Sequence, residues 1–384
     1  GETVERLNLA GNIFTILGDS YNHFPGMGPS LKFLILRRCL ITVIYERFFE
    51  QLDVLEYLNL AENQLRTVPP AIRRPFINTL DLSFQCWPIF VCSSPFWLEV
   101  SSFEGMDSLR ILDLRGNLRT VEADVFSGAK YLEDLDISSI FLNTIHKHAF
   151  RQNSRLRKLR CHQCWQLEPI DHELWPYVYN IEELDLSYSP HSITPGPDNG
   201  RSAIILLPNL KSLNLTCSLV LNHTMCDEGL YQYESPLDPE LLKVLLVLLV
   251  EMCLCKIHLF QALVKLENLD LSKNGLTSWT NRRFYNSSRL SHLSISNNKF
   301  RALTQAMLED FEQLEYLDLR MSKPYVECTI EVVEFCNWAE EKIASGKLEL
   351  VGWNRGNDYY CEDLKRSEIR SFLDYKENHD LIPA

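Results

Sequence analysis

The sequence predicts a solenoid of the α/β class, with short parallel β-strands lining the concave face of a horseshoe and a small disulfide-stapled cap closing its carboxy-terminal end. Three observations predict it. An apolar frame recurs about every 24 residues. The spacing inside each copy suits a short strand followed by a turn. After Leu319 the frame gives way to a segment rich in aromatic residues and cysteine.

The frame reads Leu-x-x-Leu-x-Leu-x-x-Asn-x-Leu, then two residues and a further apolar one. Its clearest copies are Leu55-Leu58-Leu60-Asn63-Leu65-Val68, Leu266-Leu269-Leu271-Asn274-Leu276-Trp279 and Leu290-Leu293-Ile295-Asn298-Phe300-Leu303. Further copies begin at Val4, Leu31, Ile77, Leu109, Leu132, Leu156, Ile181, Leu210 and Leu314. With a blurred copy near Leu245, thirteen are expected. The fourth and sixth positions are one residue apart, so on a strand both side chains point to the same face and pack inward. The Asn at position nine, as in Asn12, Asn63, Asn117, Asn274 and Asn298, turns the chain. Its amide can both donate to and accept from the backbones of adjacent coils, satisfying polar groups that stacking would bury. The return limbs carry Phe, as at Phe126 and Phe150, to fill the interior. No coil buries its face alone, so the array folds as one body.

Residues 1–323 are read as repeats and 324–384 as the cap that shields the last open coil. The cap is expected to be helical around Val332 to Ile343. A Cys328–Cys361 bond would close a loop of some thirty residues, worth roughly 3 kcal/mol. No matching cap precedes Val4, so further repeats are expected upstream.

The bulk numbers exclude several classes. The chain has 384 residues, is 46% hydrophobic and 23% charged, and carries a formal charge of −13, which argues against a surface that tracks nucleic acid throughout. Its longest apolar run is Val244 to Val250, against the ~20 residues a bilayer span needs, so no membrane span is expected within it. Twelve cysteines accompany three glycosylation sequons, at Asn214, Asn222 and Asn286. Together they point to an oxidising, secretory history.

On these residues the frame is that of leucine-rich repeats, and the chain resembles the membrane-proximal part of a Toll or Toll-like receptor ectodomain. The finer match lies in the cap, where Glu327-Cys328-Thr329 with Phe335 and Trp338 is similar to the family's carboxy-terminal cap. That cap usually opens Cys-x-Cys and carries four cysteines. Here Ile330 stands in the place of the second, and Cys336 falls off the pattern. The resemblance implies the ligand-binding part of an innate-immune or developmental receptor, on the extracellular or endosomal-lumenal side of a single-pass membrane protein. It would bind a microbial or protein ligand and act as a homo- or heterodimer. The alternative is a repeat protein of adhesion or matrix binding without signalling. No cofactor or metal is expected. No glycine-rich phosphate loop, nucleophile elbow or metalloprotease helix is present, so no enzymatic activity is expected.

Departures from the frame mark the candidate sites. Repeat starts are separated by 32 residues after Ile77, 29 after Ile181 and 35 after Leu210, and insertions in a solenoid leave as loops. The first carries Cys86 and Cys92, which could bridge. Its Trp87 falls on a core position, while Trp97 is the candidate contact. In the third, Cys217 and Cys226 are expected to close a small loop around the Asn222 sequon. Asn214 lies between the inward Leu213 and Leu215 and should face outward, so a glycan there would obstruct the sheet. Cys161 and Cys164 have half the spacing of a zinc site but fall on inward positions, and are read as core thiols. Ile140, Cys164, Ser189, Ser218 and Cys253 replace Asn at position nine, and weaker stacking is expected there. In some Toll-like receptors a broken ladder accompanies a lipid pocket. Between Phe141 and Ile170 the only acidic residue is Glu168. Lys147, Arg151, Arg155, Arg157, Lys158 and Arg160 share the stretch with His146, His148 and His162. Histidine gains charge under mild acidity. This stretch is the candidate surface for an anionic ligand, against the alternative of solvated return limbs.

Overall fold

A computed structural model describes residues 4–18, 24–85, 96–190, 207–218, 263–276, 284, 287–320, 326–351, 359–364 and 368–378. Cys86, Trp87, Cys92, Asn222, Cys226, Cys253 and Asn286 lie outside the described residues. The chain forms two compact units, Gly1–Gly196 and Pro197–Ala384.

In the first unit, eight three-residue strands form a parallel sheet in sequence order: Arg6–Asn8, Phe33–Ile35, Tyr57–Asn59, Thr79–Asp81, Ile111–Asp113, Asp134–Asp136, Lys158–Arg160 and Glu183–Asp185. Each occupies frame positions three to five, and the register never slips: Leu34 pairs with Leu58, Leu58 with Leu80, Leu80 with Leu112. The central leucines from Leu34 to Leu184 are at most 2% exposed. A slip of one residue would turn every one of them to water. Behind the strands, Phe103, Phe126 and Phe150 stack with ring centroids 5.9 and 5.6 Å apart, fully buried.

The expected amide ladder is built. Asn63 Oδ1 accepts from the backbone N–H groups of Cys39 (2.9 Å) and Ile41 (3.0 Å) in the preceding coil. Its Nδ2 donates to the carbonyls of Leu36 (2.9 Å) and Leu60 (2.8 Å). Asn298 repeats the pattern against Asn274, Leu276, Leu271 and Ile295. Gln85 holds the ninth position of the repeat from Ile77, and its longer amide reaches Leu65, Leu60 and Leu82. Ser189 substitutes with one hydroxyl, which accepts from Cys164 N–H and donates to Cys161 carbonyl.

A second device lies one residue earlier. Position eight is left-handed in ten repeats, with φ from 52° to 76°, and only Gly11 and Gly116 there are glycines. Such a conformation is costly for residues like Glu62, Phe84 and Tyr188. It also aims the backbone N–H at the position-seven carbonyl of the next coil, as in Glu62 to Ser83 (2.9 Å), Phe84 to Arg115 (2.7 Å) and Gln163 to Ser187 (2.9 Å). The ladder thus runs past the strand into the turn. The repeat from Leu132 is the exception among the described residues, since Ser139 is absent from the left-handed set. The turn there rotates Ile140 out to 40% exposure and buries Ser139. The expectation that Ile140 sits inward is therefore corrected, and the Ser138 hydroxyl accepts from His162 N–H instead.

Two further expectations are corrected. Cys161 and Cys164 are joined in a disulfide. Inward positions six and nine of one turn bring their Cα atoms to 5.8 Å, within bonding reach. In the second unit the strand Ser212–Asn214 pairs directly with Asn268–Asp270, Leu213 opposite Leu269. No strand from the blurred copy near Leu245 lies between them, so the long intervals on either side of it are one insertion. Cys217 is disulfide-bonded, while its expected partner Cys226 is outside the described residues.

The second unit continues with strands His292–Ser294 and Tyr316–Asp318, then takes a last one, Glu349–Val351, from the cap. Helix α1 (Gln305–Phe311) is capped by the Thr304 side chain. Helix α2 (Ile330–Ala344) covers the expected helical stretch, and α3 (Phe372–Asn378) packs against it. Val326–Glu327 pairs parallel with Tyr360–Asp363, which pairs antiparallel with Glu368–Ser371. Phe335 centres the cap, with Trp338, Tyr359 and Phe372 at 5.6, 6.4 and 6.0 Å. Cys328–Cys361 is bonded. Cys336 is a buried free thiol, and burial pushes its pKa up to about 12. Among the described residues no helix is long and apolar enough to cross a membrane.

Replacing Asn63 by Ala strands several buried backbone groups in two coils. It is expected to lower unfolding free energy by about 3 kcal/mol, measured by urea denaturation. Replacing Cys328 and Cys361 together by Ser should cost about 3 kcal/mol and is read the same way.

Candidate ligand-binding surface

The stretch from His146 to His162 is divided by the fold between two places. His146, Lys147 and His148 follow the short strand Thr144–Ile145 on the outer limb, whose partner is Thr120–Val121. Their rings form a chain: His146 lies 5.3 Å from His148, and His148 5.8 Å from Tyr177 of the next coil. Lys158 and Arg160 flank the inward Leu159 and stand on the solvent face of the main sheet, followed by His162. Trp97, 43% exposed, stands two repeats earlier, anchored through its N–H to the Arg66 carbonyl.

Carboxylates from neighbouring coils answer most of these cations. Lys147 pairs with Glu173 at 2.7 Å, Arg151 with Asp124 at 2.6 Å, Arg157 with Glu182 at 3.2 Å and Lys158 with Glu183 at 2.6 Å. Arg160 bridges Asp134 and Asp136. These exposed pairs each contribute little to stability, but together they cancel the basic character that the linear stretch displays. Half-buried Asp134 titrates above the usual carboxylate range because burial outweighs Arg160. Arg160 holds its charge because two carboxylates outweigh its own burial.

His162 is held by a relay. The Ser187 hydroxyl donates to Asp185 Oδ1 at 2.5 Å, and His162 Nδ1 lies 2.7 Å from the same hydroxyl oxygen. A serine has one proton to give, so Nδ1 is the donor and Nε2 keeps its lone pair. Tyr188 lies 5.4 Å from the imidazole, and Trp165 5.6 Å from Tyr188. Asp171, His172 and Glu173 bring three potential metal-ligand atoms within 4.8 Å of one another. Asp171 is already committed to capping Glu173 N–H, and Glu173 to Lys147.

Sequence reasoning missed the row at position five. Asn8, Asn59, Asp81, Asp113, Asp136, Asp185, Asn214, Asp270 and Asp318 each accept a hydrogen bond from the backbone N–H two residues on. The signal was an Asx recurring between the two inward leucines. Asn214 also accepts from its own sequon's Thr216 hydroxyl at 2.9 Å. Asp81 titrates high, through burial first and then the like charge of Asp113, against the pull of the Ser83 hydrogen bonds.

Residues 264–322 match the family model for leucine rich repeats, and residues 96–195 that for the BspA type leucine rich repeat region. The chain is a leucine-rich-repeat protein. Its fold is also that of the TLR13 structure solved in complex with ssRNA13, at 17% identity and a TM-score of 0.59 over 96% of the chain. Mouse RP105, solved with MD-1, gives 17% identity and 0.64 over 96%. An internalin (inlF) from Listeria monocytogenes gives 12% and 0.50 over 90%. At these identities the likeness is one of fold. This leucine-rich-repeat chain spans 52% of the TLR13 chain, 57% of the RP105 chain and 86% of the internalin. No curated protein matches it.

Because Asp81 titrates higher folded than unfolded, its ionised form costs stability in full above the folded value, and the cost fades as pH falls through that value toward the ordinary carboxylate range. Asp81→Asn keeps a turn acceptor of the kind Asn8 and Asn59 supply. The variant should be more stable than wild type at neutral pH, with the gap narrowing on acidification. Urea melts across the pH series would refute this if the gap were constant.

Proposed function

We propose that this chain is the ligand-binding ectodomain of a Toll-like innate-immune or developmental receptor, which signals when ligand brings two copies, or one copy and a relative, together. The observation that carries the reading is the likeness to two such ectodomain structures along 96% of the chain, with a disulfide-stapled cap at its end. Disulfides at Cys161–Cys164 and Cys328–Cys361 suit an extracellular or endosomal-lumenal setting. Asn214, Asn222 and Asn286 are its proposed glycosylation sites, and its role is binding without catalysis. The internalin likeness supports the rival reading, adhesion without signalling.

The proposed contacts are His146, Lys147 and His148 on the outer limb, Arg157, Lys158, Arg160 and His162 at the sheet, and Trp97 as an aromatic anchor. An anionic ligand would have to displace Glu173, Glu182, Glu183, Asp134 and Asp136 from their cations, whereas a protein ligand can exchange these pairs one by one at an interface rim. A protein ligand is therefore the reading the surface supports better.

Sedimentation of the secreted ectodomain, alone and with single-stranded RNA as an anionic probe, at neutral and mildly acidic pH, separates the readings. A monomer that ignores RNA at both pH values is expected for a receptor of protein ligands. RNA-driven dimers at low pH would instead favour an anion sensor, and a constitutive dimer would count for adhesion. Glycosidase treatment of the same material should lower its mass at the three sequons.

A further inference from the structure

The solvent face of the first unit's sheet divides into rows set by register. At position three, Phe33, Tyr57, Thr79 and Ile111 are successive partners. The Phe33 and Tyr57 rings lie 5.9 Å apart, and Ile111 is 43% exposed. Ile35 extends this apolar row to position five of the same strand. Solvent-facing strand positions normally carry polar residues, and an exposed apolar row alternating with polar residues marks an interaction surface.

The neighbouring row has an excess of negative charge. Asp81, Asp113 and Asp136 are successive partners at position five, with Asp134 beside them at position three. Two cations answer these four carboxylates. Arg115 clamps Asp113 and reaches Asp136 at 3.7 Å, and Arg160 bridges Asp134 and Asp136. Asp81 has hydrogen bonds from Asn59 and Ser83 and no ion pair among the described residues. It lies in the row between Asn59 and Asp113, one strand from Tyr57 on one side and Ile111 on the other.

We propose that this sheet face, from the strand Phe33–Ile35 to the strand Asp134–Asp136, docks a protein segment presenting apolar side chains and a lysine or arginine, the cation seating over Asp81. Charge complementarity selects the occupant: the face offers an apolar strip beside an unmatched carboxylate, which repels acidic partners and rewards a basic one. The inference rests on reading the chain as a binding module, and not on whether it signals. Failure to dimerise would leave it standing.

The test measures binding of a peptide of alternating lysine and leucine to the whole secreted chain, beside the glutamate–leucine counterpart. Three variants are compared: Asp81→Asn with Asp113→Asn, Ile111→Thr, and the charge-matched control Glu46→Gln with Glu104→Gln on exposed return limbs. Asn at position five and Thr at position three already occur in adjacent strands at Asn59 and Thr79, so the fold tolerates the changes, and thermal melts check this. The face variants should weaken lysine-peptide binding about tenfold or more, a difference of about 1.4 kcal/mol. The control should bind as wild type, and the glutamate peptide should not bind. Equal losses in face and control variants would reduce the effect to net charge and overturn the proposal. So would lysine-peptide binding unchanged in the face variants, or binding of the glutamate peptide.

Discussion

Each coil of this protein is completed by the next. A three-residue strand is far too short to hold itself together, and its inward leucines would meet water on both sides if the neighbouring coils were removed. What makes the stack specific is hydrogen bonding between coils at three successive places: the strand, the left-handed residue at position eight and the amide at position nine. Asn63 joins three backbone segments at once, and the position-eight N–H adds a bond for which the chain accepts an unfavourable φ. Local strain and long-range pairing are coupled, because the strained conformation is favourable only while the adjacent coil offers its carbonyl.

The same coupling governs the surface. A residue's electrostatic neighbours are those one coil away, about 24 positions in sequence, as Lys147 with Glu173 and Arg160 with Asp134 show. A run of cations in the sequence is therefore not a cationic surface. Arg157 and Lys158 look unopposed when read along the chain, and become ion pairs once Glu182 and Glu183 are stacked beside them. Conversely Asp81, unremarkable in sequence, is exposed as unmatched by what its two neighbouring coils lack.

Much of the fold was legible because it is carried by period and by side-chain size. The leucine frame gave strand positions and register, the return-limb phenylalanines gave the stacked interior, and the aromatic segment after Leu319 gave the cap with its Cys328–Cys361 bond. What escaped depended on backbone geometry or on closeness across turns. Nothing in the identity of Glu62, Phe84 or Gln163 announces a left-handed residue. The Cys161–Cys164 pairing required knowing that positions six and nine converge. The apolar residues near Leu245 imitated a repeat by composition, while direct pairing of Leu213 with Leu269 leaves that copy no strand between them. The candidate surface was half legible: its residues were named, but not their carboxylate partners or their division between two limbs.

Native-state hydrogen exchange tests the central claim most directly, since it reads each inter-coil bond separately. If the turn is part of the ladder, the amides of Glu62, Phe84 and Gln163 will exchange as slowly as those of the strand leucines beside them, and Ser139 will exchange fast. Rapid exchange at all four, with protection confined to the strands, would mean that the coils are held by their strands alone and would contradict the account.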